Sequence, residues 1–116
     1  MNPGLGVDVV PITFAVQGDL LVTAVDHKTK TTTRLRRLAN IATHPEVTVL
    51  VDHYEDDWDR LWWVRLRGQA RVVADGPDFD QAIARLAAKY DQYRSQRPTG
   101  PAILVSIEAV SGWEAA

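Results

Sequence analysis

Ten residues, Lys28-Thr-Lys-Thr-Thr-Thr-Arg-Leu-Arg-Arg37, hold five cations and no acid. Threonine hydroxyls, flexible lysine donors and the unpaired amides at a helix start together make an anion site that suits a phosphate. The same run also fits a solvated basic helix or a non-specific nucleic-acid contact, and composition does not separate these readings. A second stretch, Asp52-His-Tyr-Glu-Asp-Asp-Trp-Asp59, packs five acids ahead of Trp62 and Trp63. Its spacing matches no standard ligand pattern, so it reads as a solvated loop and no metal is expected. Trp63 either shelters a planar ring or packs in a subunit interface.

Side-chain nucleophiles are poorly provided for. Ser95, Ser106 and Ser111 stand in no nucleophile elbow, and His27, His44 and His53 have no recognisable serine partner. Gly4-Leu-Gly6 lacks a third glycine and a following helix, and there is no phosphate-binding loop of the Gly-Lys-Ser/Thr kind. An enzyme made from these residues takes its reactive group from a bound cofactor and supplies grip and orientation itself.

Positioning these groups falls to a short set of elements. Residues 7 to 25 alternate around Gln17-Gly18-Asp19 and predict an antiparallel hairpin. Val10, Ile12, Phe14 and Val16 share one face of its first strand, and Pro11, unable to donate a ladder hydrogen bond, predicts irregular backbone. From Thr31 to Thr43 the period turns helical, with Thr31 or Thr32 as cap and His44-Pro45 as the stop. A strand over Val47 to His53 follows, then a long one from Leu61 to Val73. The long strand sets Trp62, Val64, Leu66, Gly68, Ala70 and Val72 on one face against Trp63, Arg65, Arg67, Gln69 and Arg71 on the other. Gly76-Pro77-Asp78 gives a turn and an N-cap. An amphipathic helix then carries Phe79, Ala82, Ile83, Leu86, Ala87 and Tyr90 and stops by Arg97. The last strand, Ala102 to Val110, turns Ile103, Val105 and Ile107 inward.

This order predicts a mainly β, α+β fold, an antiparallel sheet or barrel with two helices. The chain has 116 residues, 46% of them hydrophobic, which suits a single domain over 1–116. Thirteen Lys plus Arg against 15 Asp plus Glu leave a net charge of -2, which speaks against a nucleic-acid or membrane-surface partner. The absence of Cys excludes disulfides and thiolate chemistry, and no apolar run approaches the ~20 residues of a membrane helix. A cytoplasmic location is expected.

Several stretches resemble one family. They are Val10-Pro-Ile-Thr-Phe14, Thr23-Ala-Val-Asp-His-Lys28 with Lys30-Thr31, Leu35-Arg-Arg-Leu-Ala-Asn-Ile41, Leu50-Val-Asp-His-Tyr-Glu-Asp-Asp-Trp58, Leu61-Trp-Trp-Val-Arg65 and Gly68-Gln-Ala-Arg71. The chain resembles the flavin/deazaflavin oxidoreductases of pyridoxamine 5'-phosphate oxidase-like fold, in the branch of probable coenzyme F420-dependent enzymes. The resemblance implies a split β-barrel of the FMN-binding kind, a homodimer with the cofactor in a groove between subunits, and F420 or, alternatively, FMN as cofactor. Carried over by motif, it implies that Lys28, Lys30, Thr31 and Arg34 hold the phosphate or anionic tail. Pro11, Ile12 and Thr13 would run beneath the ring, and Trp63 and Arg65 would approach from the long strand across the dimer. The implied reaction is hydride transfer between reduced F420 and a small unsaturated organic substrate, with Tyr54 or solvent as proton source. An FMN-dependent oxidase-like flavoprotein and a non-catalytic F420 carrier are the alternatives. Relatives carry an N-terminal helix and a first strand before a turn like Asn2–Gly6, and the chain is expected to start inside that ancestral frame.

Overall fold

The computed structural model describes residues 7–25 and 31–115. Among the described residues nine elements follow one another: β1 (Ala15–Gln17), β2 (Leu20–Ala24), α1 (Thr31–Thr43), β3 (Glu46–His53), one 3-10 turn (Trp58–Arg60), β4 (Trp62–Val73), α2 (Gly76–Lys89), α3 (Asp91–Ser95) and β5 (Ala102–Glu114). The strands make one antiparallel sheet in the order β1-β2-β5-β4-β3. This is the mainly β, antiparallel α+β architecture that the sequence predicts, with a third, five-residue helix in addition. No helix among the described residues is long and apolar enough to cross a membrane.

The sheet is buried on both faces where β2 and β5 run side by side. On one face the stripe of α2, Ala82, Ile83 and Leu86, packs on Ala15, Val22, Ala24, Ala102 and Leu104. On the other, Leu21, Val25, Ala70, Ile103 and Val105 form a second core, which Leu38 and Ile41 of α1 and Val47, Val49 and Leu66 of the neighbouring strands close. Since every strand from β2 to β5 contributes to this second core, the sheet curls around it.

Several boundaries differ from the sequence reading, each for a physical reason. The first strand shrinks to Ala15–Gln17, and residues 7 to 14, the entry segment, are unpaired by strands. Pro11 lies inside that irregular stretch, as its missing N–H predicts. The helix after Val73 begins at Gly76 with Asp75 as N-cap and Pro77 in its first turn. Asp78 is therefore not the cap: it lies within the helix, and its carboxylate takes a 3.0 Å ion pair from Arg71. The same helix stops at Lys89 rather than near Arg97, because Tyr90 is extended (φ -117, ψ 120), and α3 restarts the turn.

β5 runs on to Glu114, four residues past the predicted end, because β4 offers ladder partners as far as Trp62. The register slips once: Arg67 faces Ala109 and Gly68 faces Ile107, so Glu108 is the extra residue of a bulge. Before it, Ile103, Val105 and Ile107 face the curled core; beyond it the parity reverses, and Val110 pairs with Leu66. Gly68 is required at this point. A Cβ there would stand 2.1 Å from the Ser106 carbonyl oxygen and 2.9 Å from its carbon, both backbone atoms with nowhere to move. Gly68→Ala is accordingly expected to cost about 3 kcal/mol, the upper range for overpacking, and equilibrium denaturation in urea measures it.

Candidate functional site

The curled face of the sheet is core at one end and open at the other. Past the bulge, Trp62, Val64 and Leu66 of β4 with Val110 of β5, Val51 of β3 and Phe14 of the entry segment line a groove of about 550 Å³. Polar groups at its rim are few, Asp19 and Glu108 among them. The alternation of β4 supplies three of these walls, and cross-strand pairing supplies the rest: Val51 opposite Val64 and Val110 opposite Leu66. A groove with so apolar a lining offers a planar ring or a second protein surface a dry seat, and little to hydrogen-bond with.

Hydrogen-bonding capacity comes instead from the entry segment. Thr23, the one buried polar side chain in the described core, donates through its hydroxyl to the Thr13 carbonyl at 2.6 Å. The Thr13 hydroxyl meets the Tyr93 hydroxyl at 2.7 Å. At Phe14 the Tyr90 hydroxyl accepts from the backbone N–H (3.1 Å) and donates to the carbonyl (3.0 Å), which also accepts from Lys89 Nζ at 2.7 Å. Ile12 has no backbone hydrogen-bond partner among the described residues, and Pro11 has no N–H to offer. Next to a well-tied residue, then, sits one whose backbone polar groups are unpaired among the described residues.

The opposite face of β4 presents Trp63 and Arg65. The Arg65 guanidinium lies 5.6 Å from the centre of the Trp63 ring, and its Nε donates to Ser111 Oγ at 3.2 Å. Trp63 stands opposite Trp113 on β5. Strand alternation sets Trp63 and Arg65 on the reverse of the sheet from Trp62, Val64 and Leu66, which share the groove with Phe14. Within one chain they do not meet the entry segment on a common face.

A family model described as pyridoxamine 5'-phosphate oxidase matches residues 6–114. The chain belongs to that family. A comparison with curated proteins gives no match. The five-stranded antiparallel sheet with its helices agrees with the split barrel of the pyridoxamine 5'-phosphate oxidase family, whose members are typically flavin-binding oxidoreductases.

Of the site residues read from the sequence, Pro11, Ile12 and Thr13 lie in the entry segment, where Pro11 and Thr13 are exposed and Ile12 is half-buried. Lys28 and Lys30 lie outside the described residues, as do the side chains of Thr31 and Arg34; the backbone of Thr31 opens α1, whose first turn holds no acid. Tyr54 follows β3 and is 73% exposed. His53 stacks on Trp62 with 6.1 Å between ring centres and hydrogen-bonds Glu55. Among the described residues no group of three or more His, Asp and Glu side chains is placed to hold a metal ion.

Four residues of interest escaped sequence reasoning. Lys89, Tyr90 and Tyr93 read only as the end of an amphipathic helix, and nothing in their spacing announces that they reach across to residues 13 and 14. Arg37 counted as one cation among five, yet its Nε is buried without a partner among the described residues. That donor lies on the helix that opens at the basic run, and buried polar groups are ordinarily paired. Thr23→Val, which keeps the shape and removes the hydroxyl, is expected to cost about 1 to 3 kcal/mol by stranding the Thr13 carbonyl. Urea unfolding of the variant against wild type reads that difference directly.

Proposed function

We propose that this chain is a coenzyme F420-dependent oxidoreductase, acting as a homodimer on a small unsaturated organic substrate. When bound, the coenzyme supplies hydride transfer from its deazaflavin ring, so no side-chain nucleophile is required. The observation that carries the reading is the pairing of an open apolar groove with an entry segment whose backbone at Ile12 is unpaired among the described residues.

The roles follow from chemistry and from the family resemblance. Lys28, Lys30, Thr31 and Arg34 grip the phosphate or anionic tail at the start of α1, where helix amides add to the cationic donors. The orphaned Arg37 Nε supports an anion there. Backbone at Pro11, Ile12 and Thr13 carries the ring. Trp63 and Arg65, which do not share the groove face in their own chain, are assigned to the coenzyme of the other subunit by the family resemblance. Trp62 and Trp63 exclude water from the reacting atoms. Tyr54, which is exposed, or solvent supplies the proton that completes the reduction. Dimerisation is supported by the apolar side chains left bare on the outer half of the sheet, among them Val110 (64%) and Trp113 (50%). A cytoplasmic site of action agrees with this chemistry.

A second reading is favoured by the match to a family described as pyridoxamine 5'-phosphate oxidase: the same grip holding FMN. The two readings part in the spectrum of the purified protein, yellow with a flavin band for FMN, and free of FMN but binding added deazaflavin for F420. Turnover of a panel of enones and quinones separates either enzyme from a non-catalytic F420 carrier. Charged hydrogen bonds to phosphate contribute roughly 1.5 to 3 kcal/mol each. Lys30→Ala is therefore expected to weaken coenzyme binding about tenfold or more, followed by fluorescence quenching, and an unchanged Kd removes Lys30 from the site. Val110→Asp is expected to yield a monomer in sedimentation equilibrium; a dimer of undiminished strength in that variant moves the interface away from the groove.

A further inference from the structure

The entry segment is fastened far more heavily than an edge of a sheet requires. Hairpin pairing with β2 already fixes Ala15 to Gln17, and α2 covers Ala15. Upstream of that, strand pairing has ended and side chains hold the segment, Thr23 at the Thr13 carbonyl and Asn40, whose Nδ2 donates to Asp8 Oδ2 at 2.5 Å, nearer its start. Yet the hydroxyl of Tyr90 does for Phe14 what a neighbouring strand would do, exchanging bonds with both the N–H and the carbonyl of one residue. Lys89 adds a third bond to the same residue, at its carbonyl, and its Nζ lies 4.1 Å from the centre of the Phe14 ring. Tyr93 holds the Thr13 hydroxyl, and the two phenol rings brace each other edge to face, 5.7 Å apart at 74°.

We infer that the junction between α2 and α3 is a positioning clamp for the coenzyme ring, with Tyr90 as its central residue and Tyr93 and Lys89 as supports. The inference rests on the reading of the Pro11–Thr13 backbone as the ring-bearing segment. By anchoring the Phe14 backbone and the Thr13 hydroxyl, beside the Thr23 tie to the Thr13 carbonyl, the clamp ends strand pairing at Ala15 and holds Ile12 two residues from Phe14, which lines the groove. A continuing strand would have spent the Ile12 amide and carbonyl on a ladder; an unclamped tail would have spent them on water. The helix break at Tyr90 belongs to the same device, since it sets an extended residue between two helices at the point where both phenols contact the segment. None of these residues touches the ring in this scheme. They act through the backbone they hold.

Tyr90→Phe removes the hydroxyl and keeps the ring that packs on Tyr93. In the coenzyme-free protein, amide exchange of a peptide spanning residues 12–14 is expected to quicken about tenfold or more, with β2 unchanged. Whichever of FMN and F420 the wild type binds is expected to bind about tenfold more weakly to Tyr90→Phe and with a displaced visible absorption band. Lys30→Ala weakens binding without moving that band. Tyr93→Phe, which loosens Thr13 alone, is expected to show the same two changes to a smaller degree and serves if Tyr90→Phe does not fold. Unaltered exchange at residues 12–14 overturns the clamp. Faster exchange with an unaltered band and Kd overturns its positioning role, while the proposed function stands. A wild-type protein that binds neither coenzyme overturns the proposed function and the positioning role with it, leaving the tether as a structural tie only.

Discussion

The run Ala102-Ile-Leu-Val105 has to be dry on both faces. Leu104 and Ala102 meet α2, Ile103 and Val105 meet the curled core, and all four are buried. Such a strand reads as continuous apolar sequence, and it is stable only with neighbours on either edge and cover above and below. β2 and β4 provide the edges; α2 and the α1-side core provide the cover. Because half of β5 is consumed in this way, the helices crowd at one end of the sheet. The other half of the same strand, from Ala109 to Glu114, is left bare or half-buried.

What separates the two halves is the bulge at Glu108. By adding one residue to β5, it lets the apolar set switch from odd to even positions, so that Val110 comes to share a face with Leu66 and Val64. Without the slip, Val110 would face the reverse side and the groove would lose a wall. The backbone crowding that the slip creates is absorbed by the missing side chain of Gly68. Core, bulge and groove are thus successive consequences of one strand having to serve two environments.

Much of this is legible in the sequence. The turn at Gly18 and Asp19, α1 over Thr31–Thr43, the Trp62–Val73 strand with its two faces, and the stripe of α2 all follow from periodicity and turn chemistry. The end of β5 did not, because a period-two reading treats the out-of-phase Val110 as the close of the strand, whereas a bulge makes it a continuation. The true start of α2 was obscured by Pro77, which permits a helix to begin either side of it, and Asp78 was engaged by Arg71 rather than by the helix amides. At the site, the cationic run and the faces of β4 were readable as local patterns. The hold of Tyr90 on Phe14 was not, since those residues are 76 positions apart and a hydroxyl bonding to backbone leaves no trace in side-chain pattern.

These features also explain why family membership leaves the choice of coenzyme open. In the proposed site the ring is met by backbone at Pro11 to Thr13 and by apolar walls, and both surfaces are indifferent to whether one ring atom is nitrogen or carbon. FMN and F420 alike bring a tricyclic ring and a phosphate, so the proposed grip at Lys28, Lys30, Thr31 and Arg34 would serve either. One place where the two molecules differ is beyond the phosphate, in the anionic tail that only F420 carries. The proposed preference for the longer anion rests on a run with five cations and no acid, more charge than one phosphate needs.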